Sequence, residues 1–246
     1  MADLCRDSKG VYYEIKKTIS ILLTLIFAFS FSVSGYASSN TDYGRYDEYL
    51  GYIEDGYIDE SISYSLWLDL LERNAEFEQK LEESSELALV YNSNSAGLYS
   101  TYSLQPGDIY LTNATSLGGL TGHTGIAINT AEILHIAGPL DSVSTISRSD
   151  WLTDYSSGWT KVYRHTNNTI ARLAAGWAYN NYFNSNAVYS FDVNLATTDK
   201  TYCSKIVWQS YYFINPVGTY ADFPGNAMVV LPYEIPELIH PITQVY

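Results

Sequence analysis

Cysteine is almost missing from this chain: its 246 residues hold two, Cys5 and Cys203. A disulfide framework of the kind that staples small exported domains is therefore excluded. Cations are scarce as well, 13 Lys and Arg against 27 Asp and Glu, for a formal net charge of -14. Phosphate backbones demand basic patches, so nucleic acid is excluded as a partner, and so is simple adhesion to anionic lipid. No Gly-x-Ser-x-Gly elbow supports a serine hydrolase. The glycine-rich "GGLTGHTG" at 118–125 lacks the Gly-Lys-Ser/Thr ending and leads into a strand pattern, so it is no phosphate loop. There is no internal repeat and no second binding module.

Long apolar runs are also wanting. The one candidate, Ile19 to Val33, is interrupted by hydroxyl residues and is short for a membrane span, which needs roughly 20 apolar residues. It follows Arg6, Lys9, Lys16 and Lys17 and precedes the small-residue site "GYA". That order predicts a signal peptide over residues 1–37, cleaved after Ala37, and hence a secreted or cell-surface protein with no stable span after cleavage. An uncleaved anchor is the alternative. Cleavage removes Cys5 and leaves Cys203 as the only thiol, either a buried small hydrophobe or a reactive group.

What the chain does have is apolar and aromatic mass: 46% hydrophobic residues, 15% aromatics and 24 tyrosines, ample for a packed core in one domain. Its acids are unevenly spread, with 14 between residues 42 and 86 against three bases. Ile62, Leu66, Leu70, Phe77 and Leu81 recur at helical spacing there, which predicts an amphipathic helix over 60–90. Residues 38–97 thus read as an acidic helical extension, its charges a solvated face or, alternatively, a pro-region or lid. The linker-like "YNSNSAGLYSTYS" follows, and a catalytic domain is expected over 98–246.

From there the pattern changes to short runs bounded by glycine: "GDIYLT" (107–112), "HTGIAIN" (123–129), "EILHIAG" (132–138) and "GWTKVYRH" (158–165). These read as strands, the middle two joined by a tight antiparallel hairpin at "NTAE". Helices are expected over 169–182 and from about Ser204 to Phe213. The class is α+β, an antiparallel sheet packed against helices.

Cys203 stands at the N-terminal edge of that last helix, where unpaired N–H groups and the helix dipole favour a thiolate, with Lys205 close by to add to the field. The same N–H groups suit a developing oxyanion. A cysteine nucleophile needs a base and the base an orienting partner. His123 opens one strand after a glycine-rich turn, and His135 lies on the next, so a hairpin brings the two within reach. His165 and His240 lack such a partner. Tyr202 and Ser204 flank the thiol and either line the oxyanion site or cap the helix. Asp108 in "PGD" reads as turn chemistry.

"LQPGDIYLT", "GHTGIAI", "ILHIAG", "YCSKIVWQSYY" and "VVLPYEI" together resemble the circularly permuted papain-like hydrolases of the NlpC type, including the YiiX/YycO-like amidases, over residues 98–236. The resemblance implies a papain-like fold with Cys203 as nucleophile, His123 as general base and His135 as third member, Glu132 competing for the last role. It implies acyl transfer through an acyl-cysteine without a cofactor. Cell-wall peptide is the expected substrate and a lipid-linked acyl group the runner-up. A zinc site formed by Cys203, His123 and His135, or a non-catalytic surface module with an inert thiol, are the alternatives from other classes.

Overall fold

The computed structural model describes residues 38–92, 102–214, 220–225 and 228–246. The expected signal peptide and the boundary near Leu98 lie outside the described residues. Contacts divide the chain into two compact units, Met1–Glu48 and Tyr49–Tyr246. In the first, the described residues belong to α1 (Ser38–Glu54), which continues into the second.

The second unit is built on a six-stranded antiparallel sheet of order β4-β3-β2-β1-β5-β8. The strands are β1 (Ile109–Leu117), β2 (Leu120–Ala127), β3 (Glu132–His135), β4 (Ser144–Ser147), β5 (Thr160–His165) and β8 (Ile242–Gln244); β6 (Val188–Tyr189) and β7 (Lys200–Thr201) pair separately and in parallel. β1 is central, with β2 and β5 on its two edges, and its first residues, Ile109 to Leu111, are buried on both faces, which is why that stretch is apolar without alternation. Ile109 and Leu111 join the main core with α4 (Asn168–Tyr182) and α5 (Cys203–Tyr212). Tyr110 points the other way, into a smaller cluster with Val162, Ile133 and Trp151, the last supplied by α3 (Arg148–Asp154). This is the expected α+β papain-like class, helices against an antiparallel sheet.

The acidic stretch forms one long helix, α2 (Tyr64–Asn92). Trp67 and Leu70 are fully buried in the same core as the strands. Polar groups tie it down too. Trp67 Nε1 donates to Gly118 O (2.8 Å), Asn74 Nδ2 to Thr121 Oγ1 (3.0 Å), and Thr121 Oγ1 in turn to Glu78 Oε2 (3.0 Å). Arg73 pairs with Glu234 in the 3₁₀ turn Pro232–Glu234 (3.0 Å). The helix is thus fastened to the glycine-rich loop that opens β2.

Three short elements, α3, β4 and β8, had no strong periodic signal. α3 is nonetheless announced locally: the Ser147 hydroxyl accepts from Asp150 N, a serine followed at the third place by an acid, which caps a helix start.

Candidate active site

β2 enters the site through Gly122, whose φ of +99° lies in the left-handed region. A Cβ there would stand 2.8 Å from Cζ of Tyr233 and 3.1 Å from Cβ of Pro232. Glycine is required because the 232–234 turn closes directly over the backbone. The next residue, His123, is thereby held at a fixed place in the strand.

The β2–β3 register pairs Ile126 with Leu134 and Ala127 with Ile133. Continued by one step it sets His135 opposite Gly125, so His123 and His135 are diagonal neighbours on one face rather than directly opposed. Diagonal side chains of this length still meet. His123 Nε2 and His135 Nδ1 are 2.9 Å apart. Gly125 between them leaves the room: a Cβ there would lie 2.8 Å from Ile133 Cγ2 and 3.1 Å from Trp151 Cζ3. The Trp151 ring stacks on His123 at 5.3 Å and 16°, and Tyr155 completes the wall at 5.2 Å. Neither aromatic had been singled out from sequence; the capped start of α3 was the available signal.

Glu132 sits apart. Its carboxylate accepts from Asn129 Nδ2 (2.6 Å) and Thr145 Oγ1 (3.1 Å), stitching the β2–β3 turn to β4. Asp108 is fully buried and forked by Arg164 at 2.6 and 2.7 Å, with the Tyr102 hydroxyl and Gln105 N–H completing its shell. His165 stacks on Tyr211, and His240 pairs with Asp222 at 3.2 Å; neither shares a hydrogen bond with the His123–His135 pair.

Cys203 is the first residue of α5, and no side chain caps that helix. Its first-turn N–H groups are left for the site. The Thr124 N–H, on β2 beside His123, and the N–H groups at the start of α5 favour the thiolate form of Cys203. The Ser204 hydroxyl is also adjacent, but its single proton goes to Val230 O at 2.8 Å. Tyr202 accepts from Val230 N at 3.1 Å, so both neighbours of the thiol pin the 228–231 segment.

The electrostatics depart from the expected thiolate. Burial pushes the Cys203 thiol up, and this outweighs the N–H donors that pull it down. Lys205 gives no help, since its ammonium is buried, donates to Lys200 O (2.7 Å) and faces Asp192 at 3.6 Å. Burial likewise drives His123 well below the usual imidazole range, with His135 adding to the effect, and brings His135 down to about 4 against the pull of Asp141 and Asp154. The resting pair is therefore a neutral thiol and a neutral imidazole. His123 Nδ1 is buried without a hydrogen-bond partner, and no bond joins it to the sulfur at rest. The direction of the His123 Nε2–His135 Nδ1 hydrogen bond follows the tautomer of the pair.

A narrow slot runs beside the thiol, lined by Leu120, Gly122, Tyr189, Phe191, Tyr202 and Pro232 together with Cys203 and Ser204. Among the described residues no cluster of three His, Cys, Asp or Glu groups is arranged to hold a metal.

Residues 78–235 match the family described as lipoprotein N-acylation protein LnsA-like, a span that contains Cys203, His123 and His135. The chain belongs to the LnsA-like family. An uncharacterized 30.3 kDa protein of Bacillus thuringiensis is 30% identical over 237 residues, covering 80% of this chain and 86% of its own. No solved structure matches. The LnsA-like family is one of acyltransferase or hydrolase enzymes on a papain-like fold, which agrees with the broader resemblance read from the motifs. The LnsA-like match begins at residue 78, inside α2, and so takes in Glu78 and its bond to Thr121.

Proposed function

We propose that this protein is an acyltransferase that carries a lipid-derived acyl group on Cys203 as a thioester and passes it to an amine. The family description supports N-acylation. The observation that supports the lipid side is the slot at the thiol, about 20 Å³ in volume: its walls are mostly aliphatic and aromatic, and the Ser204 and Tyr202 hydroxyls among them are engaged by the 228–231 segment. A cell-wall peptide would leave its own amides unsatisfied there, whereas an acyl chain loses nothing.

In the first half-reaction the Cys203 proton moves to His123 Nδ1 as sulfur attacks the ester or amide carbonyl. The developing oxyanion is held by N–H groups at the start of α5. His135 steadies the imidazolium through His123 Nε2–H. Collapse expels the leaving group, which takes the proton from His123, and leaves the thioester. An amine then attacks the thioester; where water attacks instead, the outcome is hydrolysis.

The test is intact-mass measurement after incubation with phospholipid vesicles or with cell-wall fragments. An acyl mass on Cys203 from vesicles, absent in Cys203→Ala, is expected; an adduct from wall fragments alone would overturn the reading in favour of the amidase. Activity lost with iodoacetamide but retained in EDTA separates it from a zinc site or an inert module. Action on the outer face of the membrane is part of the proposal, and N-terminal sequencing of exported protein should begin at Ser38.

A further inference from the structure

Trp151 is set into the site in a way that core packing alone does not explain. Its fully buried ring stands nearly parallel to the His123 imidazole, 5.3 Å between centroids at 16°, and closer to perpendicular to that of His135, at 5.8 Å and 62°. Gly125 leaves the room, since a Cβ there would come within 3.1 Å of Trp151 Cζ3. The indole Nε1–H is buried with no hydrogen-bond partner among the described residues. A tryptophan that only fills a core is turned so that this N–H finds an acceptor, as Trp67 does with Gly118 O and Trp208 with Asp222 O. Among the described residues the other buried indole N–H without one is that of Trp159, and its ring has the Lys161 ammonium over its face at 4.6 Å. The orientation of Trp151 thus serves its face rather than its N–H. Among the described residues no carboxylate hydrogen-bonds to either imidazole, and Asp141 and Asp154 act on His135 only from a distance.

We propose that Trp151 is a positioning residue whose indole face holds the His123 ring in place and stabilises its imidazolium, by a cation–π contact, when the Cys203 proton arrives. The proposal rests on the reading above only for the transfer of that proton to His123. The transfer breaks the S–H bond, leaves its electron pair on sulfur and forms an N–H bond on the imidazole, so a neutral ring becomes a buried cation 5.3 Å from the indole centroid. A cation within about 6 Å of an indole face is drawn to the negative face of the ring quadrupole, most strongly where water is excluded. At rest the two rings are neutral and merely stacked. The contact therefore strengthens as the charge develops, which is the condition for it to speed the chemical step rather than tighten substrate binding. The other titratable groups facing the pair are Asp154 and Tyr155 at the end of α3, Asp141 between β3 and β4, and Cys203 on α5. Arg148, on the same helix as Trp151, lies over Tyr102 and Tyr246 instead. None of these groups is altered by a change confined to the electrons of the indole.

The experiment uses the full chain with tetrafluorotryptophan placed at position 151 by nonsense suppression, which strips negative charge from the ring face with little change in volume. The same replacement of Trp177, on α4, is the reference. Nitrophenolate release from 4-nitrophenyl dodecanoate reports thioester formation, and iodoacetamide at pH 7 reports loss of the thiol proton without an acyl donor. Fluorination at position 151 should slow both roughly three- to thirtyfold, the span of partly to fully desolvated cation–π contacts, with the loss in the maximal rate of acylation and not in the half-saturating ester concentration. Fluorination at position 177 should change neither. The acid limb of kcat/KM should stay in place or move to lower pH, because a weaker contact makes His123 harder to protonate. A limb moved upward, toward the value of about 6.5 of a solvated imidazole, would mean that the change admits water, and it overturns the proposal. Unchanged rates at position 151, or equal losses at both positions, overturn it as well. A wild type that forms no thioester, yet whose alkylation still slows on fluorination at 151, overturns the acyl-transfer reading and leaves the role of Trp151 standing.

Discussion

His135 offers a quantitative test of the buried histidine pair. Its imidazole is held at about 4 by burial, while in the unfolded chain it returns to about 6.5. Above 6.5 it is neutral in both states and stability is unaffected. As pH falls below 6.5 the unfolded chain takes up the proton first, so stability is lost progressively until about pH 4, below which the penalty is constant. The gap amounts to about 3 kcal/mol in full and about 2 kcal/mol already at pH 5. Glutamine at this position carries no proton to bind. Urea unfolding of wild type and His135→Gln at pH 8 and pH 5 should therefore show the stability difference between them moving by about 2 kcal/mol in the variant's favour at the lower pH. A difference that stays constant across this range would mean that His135 is solvated or charged in the native state, and the neutral pair would have to be abandoned.

The division of labour on β3 is tested by steady-state turnover: His135→Ala should cost at least about tenfold, because it orients the base, and Glu132→Ala little, because its carboxylate is spent on Asn129 and Thr145. A larger loss for Glu132→Ala would reject the triad. Iodoacetamide should alkylate Cys203 more slowly at pH 7 than it does an exposed cysteine, with the rate climbing into alkaline pH, since burial raises the thiol and thiolate is the reacting form; a fast rate already level at neutral pH would show a resting thiolate–imidazolium pair instead. Gly122→Ala should lower stability by about 2 kcal/mol and slow thioester formation, because it strains a left-handed residue and drives a methyl into the Tyr233 ring. Urea unfolding within about 0.5 kcal/mol of wild type would refute that close approach.

Much of the site was written in local pattern. Glycine punctuation marked β1, β2, β3 and β5 to within a few residues, because each strand must end where the chain turns. Helical periodicity likewise marked α4 and α5. The pairing of His123 with His135 followed from hairpin geometry, since Asn129 accepts from the N–H groups of Ala131 and Glu132 and closes the turn where "NTAE" placed it. The charge on the thiol was beyond the reach of the chain's order. A helix start argues for thiolate, and only packing shows that Cys203 is buried and that Lys205 is turned away to Asp192, so that desolvation wins. Helical spacing in 60–90 already gave Leu70 to an apolar face and the acids to a solvated one; tertiary structure instead used Glu78 and Arg73 to hold the site's loops, because long-range partners are not encoded in local spacing. What the sequence by itself determined was that His123 and His135 meet across a hairpin and that Cys203 opens a helix, through their places on strands and a helix start. What only the tertiary structure decided was their protonation at rest and the apolar slot and aromatic wall around them, because burial and neighbouring walls are made by residues far apart in the chain.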